Sequence, residues 1–143
     1  YVNLIGDGVH NFIDGIVLAA TFAIDTSLGW ATTMAIVLHE IPQEMSDFAV
    51  LLYAGLTKKR ALFYNFLTAL TAIIGVVVGT VLSSRAESFS TLMLPIAAGG
   101  FIYIAASDLI PEINKEKRLG RTFMCFLAVI VGVFFMWLLK NLE

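Results

Sequence analysis

Five long apolar runs, separated by short polar breaks, set the limits on this fold. Run A covers residues 2–25, run B 30–56, run C 61–84, run D 89–111 and run E 121–140. A helix needs about 20 predominantly apolar residues to cross the hydrocarbon core of a bilayer. Each run has that length, so the sequence predicts an all-α, polytopic membrane helical bundle with five transmembrane helices. Run E argues against a soluble helical bundle: from Phe123 to Leu139 it holds no charged residue and has no polar face. Only 14% of all residues are charged, against about 25% in soluble domains. No linker or low-complexity tract breaks the pattern, so residues 1–143 read as a single transmembrane domain. The chain opens at Tyr1, already inside an apolar run and without a Met. It therefore reads as the C-terminal portion of a longer membrane protein.

The basic residues orient the spans. The B–C loop holds Lys58, Lys59 and Arg60, and the D–E loop holds Lys115, Lys117, Arg118 and Arg121, together seven of the nine Lys and Arg. Arg85 and Lys140 fall on the other side. By the positive-inside bias the B–C and D–E loops are cytoplasmic. Net charge is −2 with no long basic run, which excludes nucleic acid as a partner. Cys125, the single cysteine, lies in the apolar body of run E and reads as a packing residue.

Runs A and B differ from the other three. No Lys or Arg occurs from residue 1 to residue 57, yet this stretch carries Asp7, Asp14, Asp25, Glu40, Glu44 and Asp47 and both histidines. On run A, Asp7, His10, Asn11 and Asp14 recur at i, i+3, i+4 and i+7 and share one helical face. On run B, Glu40, Gln43, Glu44 and Asp47 repeat that spacing, and His39 lies one turn before Gln43. A mid-membrane Asp costs about 2.5–3.5 kcal/mol on insertion scales, so Asp14, Glu40, Glu44 and Asp47 would together cost on the order of 10 kcal/mol uncompensated. A divalent cation supplies the missing positive charge. Two imidazoles among carboxylates favour a borderline first-row ion such as zinc, iron or manganese, whereas an oxygen-only set would favour magnesium or calcium. Pro42 adds a predicted kink, because its ring clashes with the Leu38 carbonyl. Gly15 would allow close helix approach.

These residues carry a resemblance. His10-Asn11-x-x-Asp14-Gly15 and His39-Glu40-Ile41-Pro42 resemble the paired signature motifs on the fourth and fifth helices of the ZIP (Zrt/Irt-like) family of divalent-metal transporters. Glu44-x-x-Asp47 and Asp108-Leu109-Ile110-Pro111-Glu112 are similar to motifs of one subfamily, whose fifth helix reads His-Glu-x-Pro-His-Glu-x-x-Asp. The family has eight helices, so the resemblance covers its last five and implies three missing N-terminal helices. It implies a binuclear site between runs A and B. His10, Asp14, His39 and Gln43 would line one metal position, and Asn11, Glu40, Asp14 and Gln43 the other. It further implies zinc as the main substrate with iron, manganese or cadmium as others, uptake toward the cytoplasm across a plasma (inner) membrane, and a homodimer in the lipid bilayer. Gln43 departs from the family pattern, which has Glu or His there; an amide oxygen is the weaker ligand.

Three rivals use the same residues. His39-Glu40 begins the zincin pattern of an intramembrane zinc metallohydrolase, but Gln43 replaces its second His. A non-transporting metal sensor would need only the site. An exporter would suit His10-x-x-x-Asp14 but not the second motif with its proline. Elsewhere, Gly75-x-x-x-Gly79 predicts a close helix crossing. Asn65 and Thr68 are peripheral ligand candidates, and Pro95, Gly99 and Gly100 predict a kink or tight crossing in run D. Asp108 and Glu112 would guide metal exit or cap a helix end, and Trp30 reads as an interfacial anchor.

Overall fold

The computed structural model describes residues 2–115 and 118–140, and among them only helices and their short connections occur. The chain forms two compact units, Tyr1–Met93 and Leu94–Glu143.

In the first unit, α1 (Val2–Ile24) and α2 (Thr26–Tyr53) are joined at Asp25 alone. The Asp25 side chain caps α2 by accepting from the Leu28 amide at 2.8 Å, which starts that helix four residues earlier than run B predicts. At about 1.5 Å per residue, the 23 residues of α1 and 28 of α2 are each long enough to cross a hydrocarbon core of about 30 Å. α2 continues through Pro42 as one helix.

Run C becomes two helices, α3 (Lys58–Ala69) and α4 (Thr71–Arg85), divided at Leu70. Threonine hydroxyls explain the break. Thr68 bonds back to the Asn65 carbonyl at 2.8 Å, and Thr71 bonds to those of Thr68 and of Gly8 on α1, both at 2.6 Å. Such back-bonding competes with the helical ladder. Lys58–Arg85 together remains long and apolar enough to span a membrane, as does Ser88–Ser107. Leu119–Phe135 is a shorter apolar stretch.

α1 packs along α4 over its greatest length, and also against α2 and α3. The α1–α4 crossing is as close as the glycines predict. A Cβ on Gly15 would overlap the Ala72 carbonyl, one on Gly75 the Phe12 carbonyl, and one on Gly79 would come within 2.8 Å of the Ala19 Cβ. Small residues thus bring two backbones into contact, the usual device where lipid removes any hydrophobic drive between helices. Large apolar side chains such as Leu38, Phe63, Ile73 and Val77 face outward, while Asp7, Asn11, Thr21, Thr32 and Asn65 are buried. Polar groups inside and apolar groups outside is the pattern that a hydrocarbon solvent requires.

α5 (Glu87–Ile104) passes from the first unit into the second, followed by a π-helical turn (Ala105–Leu109), α6 (Ile110–Asn114) and α7 (Leu119–Lys140). The π turn has a local cause. Pro111 has no amide to bond the Ser107 carbonyl and its ring crowds that oxygen, so the backbone widens just before it. α5 continues through Pro95 as one helix, and within its own unit a Cβ on Gly99 or Gly100 would meet nothing within 4 Å. The side chains of Asp108 and Glu112 lie outside the described set.

Candidate metal site

Four side chains from α1 and α2 converge. His10, Asp14, His39 and Glu40 each direct one nitrogen or oxygen so that all four atoms lie within 4.8 Å of one another. The two Nε2 atoms are 3.3 Å apart. His10 Nε2 is 3.8 Å from Asp14 Oδ2 and 3.2 Å from Glu40 Oε1. His39 Nε2 is 3.1 Å from Asp14 Oδ2 and 3.6 Å from Glu40 Oε1. Ligands held about 2.1 Å from a tetrahedral zinc ion stand about 3.4 Å from each other. The measured separations bracket that edge length.

Asp14 Oδ2 and Glu40 Oε1 are buried, and each faces an imidazole nitrogen of the opposite helix, at 3.1 and 3.2 Å respectively. The four atoms converge on one small space. His39 is also fixed in the correct tautomer. Its Nδ1–H donates to the Ala35 carbonyl at 2.9 Å, one helical turn back, which leaves the Nε2 lone pair for the centre. The rings of His10 and His39 meet edge to face at 5.5 Å between centroids. No Lys or Arg lies between residues 1 and 57 to neutralise the carboxylates. The donor set is two imidazoles and two carboxylates, which suits a borderline divalent ion.

The model of the family described as "ZIP Zinc transporter" matches residues 1–140. The chain belongs to the ZIP zinc transporter family. It is 36% identical over 155 aligned positions to zinc transporter zipt-7.1 of Caenorhabditis briggsae, covering all of this chain and 40% of that protein. It is 39% identical to zinc transporter foi of Drosophila melanogaster, covering 98% of this chain and 20% of that protein. It is 45% identical to IAA-alanine resistance protein 1 of Arabidopsis thaliana, covering 93% and 29%. The chain thus spans well under half the length of these curated relatives. No solved structure matches it. This is a family of transporters rather than enzymes, and nothing favours the hydrolase alternative.

In this ZIP chain the other ligand candidates of runs A and B lie on the same two helices, α1 and α2. Gln43 is half-buried on α2, one turn beyond His39 and Glu40. Glu40 joins His10, Asp14 and His39 in the four-atom cluster, whereas the resemblance grouped it with Asn11, Asp14 and Gln43. Asn11 is buried, and its amide donates to the Asp7 carboxylate at 2.9 Å and to the Asp7 carbonyl at 3.2 Å. Glu44 accepts from the Asn65 amide of α3, and Asp47 accepts from Asn3 at 3.0 Å. These two carboxylates stand outside the four-atom cluster.

Two residues of this environment were missed as principal members. Asp7 is only 5% exposed, although its place in the i, i+3, i+7 stripe of α1 signals it. Asn65 is 7% exposed. Its only sequence signal is a lone amide in an apolar run, too weak to pair it with Glu44.

Proposed function

We propose that this chain is the metal-translocating part of a membrane transporter that moves divalent metal ions, zinc foremost, into the cytoplasm. The single observation that carries this reading is the convergence of one donor atom each from His10, Asp14, His39 and Glu40 between two helices that carry no Lys or Arg. The fit to zinc in ligand type and edge length supports zinc over magnesium or calcium, and iron, manganese and cadmium are the expected competitors. The names of the relatives support the same substrate. The direction rests on the clustering of Lys and Arg in the loops after α2 and before α7, which makes those loops cytoplasmic.

In this reading all the spans form one transmembrane domain, joined by preceding helices of the longer protein and paired as a homodimer in the plasma membrane. His39, pinned by Ala35, and Asp14 hold the ion from opposite helices. Movement of α1 relative to α2 would open the cluster and release it. Zinc uptake into vesicles bearing the full-length protein tests the proposal. Time-dependent, saturable accumulation is expected, and its absence with correctly inserted protein overturns the reading in favour of a sensor.

A further inference from the structure

Next to the histidine cluster, toward the start of α1 and the end of α2, a second polar set gathers where α3 joins them. It consists of Asp7, Glu44 and Asn65, with Asn11 between Asp7 and Glu44. We propose that Asp7, Glu44 and Asn65 build a separate, oxygen-only divalent-cation position, distinct from the one formed by His10, Asp14, His39 and Glu40.

Each of the three residues has one polar atom engaged and one oxygen left over. Asp7 accepts the Asn11 amide at Oδ1, 2.9 Å away, while its Oδ2 is buried without a hydrogen-bond partner. Asn65 donates its amide to the Glu44 carboxylate and, at 3.2 Å, to the Glu44 carbonyl. That fixes the amide so that Oδ1 is the remaining atom, and it too is buried and unpartnered. Glu44 uses one carboxylate oxygen for Asn65, and its Oε1 is likewise buried and unpartnered. Three helices thus each contribute one orphaned oxygen to one region. Buried oxygens are normally paired, and an orphan is costly.

The Asn11 amide stands beside Glu44 as well as Asp7, yet no donor reaches Asp7 Oδ2 or Asn65 Oδ1, and the charges acting on Glu44 come from Asp7, Glu40 and Asp47, all acidic. Two carboxylates and an amide oxygen match a divalent ion in charge, and further ligands could come from water. Without imidazole the set is harder than the histidine cluster and favours manganese relative to zinc. As a binding site it stands on this geometry alone. Its role, a second stop for the ion on the cytoplasmic side, rests on the uptake reading above.

The test uses the full-length protein in lipid nanodiscs with its histidine position filled by zinc. Manganese is then titrated and followed by electron paramagnetic resonance. The expected result is a bound manganese ion whose spin-echo signal lacks imidazole nitrogen coupling. Glu44→Gln should weaken that binding by about tenfold or more, and Asn65→Ala by a smaller but measurable factor. Zinc binding at the histidine position, measured in the same variants, reports whether they fold. If neither variant folds, the wild-type spectrum decides. Manganese that fails to bind the zinc-loaded protein, that shows imidazole coupling, or that binds a folded Asn65→Ala protein unchanged overturns the proposal. Protein that binds manganese in this way but imports no zinc would instead overturn the uptake reading and leave this position standing.

Discussion

His10 and His39 present their Nε2 atoms to each other 3.3 Å apart across the boundary between α1 and α2. Two neutral imidazoles placed nitrogen to nitrogen, with two carboxylate oxygens beside them, form a stable arrangement only around a cation or a shared proton.

This makes the first prediction direct. His10→Ala or Asp14→Ala in the full-length protein should lower zinc affinity by at least about tenfold and abolish radiozinc uptake, while surface expression stays near wild type. Normal uptake by both variants would show that transport does not pass through this cluster.

Gln43 gives the second prediction. It stands one turn beyond His39, where an imidazole could reach the same centre. Gln43→His should tighten zinc binding, measured by competition with a chelating dye, and should slow release in transport assays. Unchanged affinity would place the side chain outside the coordination sphere.

The donor set itself can be read by spectroscopy. Cobalt bound to the full-length protein should give the visible bands of a tetrahedral nitrogen–oxygen site with no thiolate charge-transfer band, because the converging donors are the nitrogens and oxygens of His10, Asp14, His39 and Glu40. Cys125→Ser should leave that spectrum and zinc uptake as they are. A thiolate band that disappears with this substitution would refute the assignment of the ligands.

Packing supplies a fourth prediction. Gly75→Ala drives a methyl group into the Phe12 carbonyl and should destabilise the protein by about 1–3 kcal/mol. Gly99→Ala, where an added Cβ meets nothing within 4 Å, should change stability by no more than about 0.5 kcal/mol. Thermal unfolding in detergent compares the two, and equal effects would mean that the α1–α4 contact is looser than described.

Much of this was legible in the chain. Apolar run length gave the helices, and the i, i+3, i+4, i+7 spacing on α1 and α2 gave the polar faces that meet. What escaped depended on three-dimensional detail. The division at Leu70 comes from Thr71 reaching the Gly8 carbonyl of another helix, which no local pattern encodes. Spacing alone leaves Glu40 and Gln43, three residues apart, equivalent, and the convergence of Glu40 with His10, Asp14 and His39 is read only from the packed helices. Asn65 could be paired with Glu44 only once α3 was seen to lie against α2.

The α1–α4 crossing has a mechanical consequence. Where the backbones meet at Gly15 and Gly75, no side-chain layer remains in which one helix could slide over the other. His10 and Asp14 are therefore mounted on a stiff two-helix strut. His39 and Glu40 ride on α2, which their contacts with His10 and Asp14 and the Asn3–Asp47 hydrogen bond tie to α1. A bound ion would act as a latch between strut and arm, and its departure would release one of the ties between them.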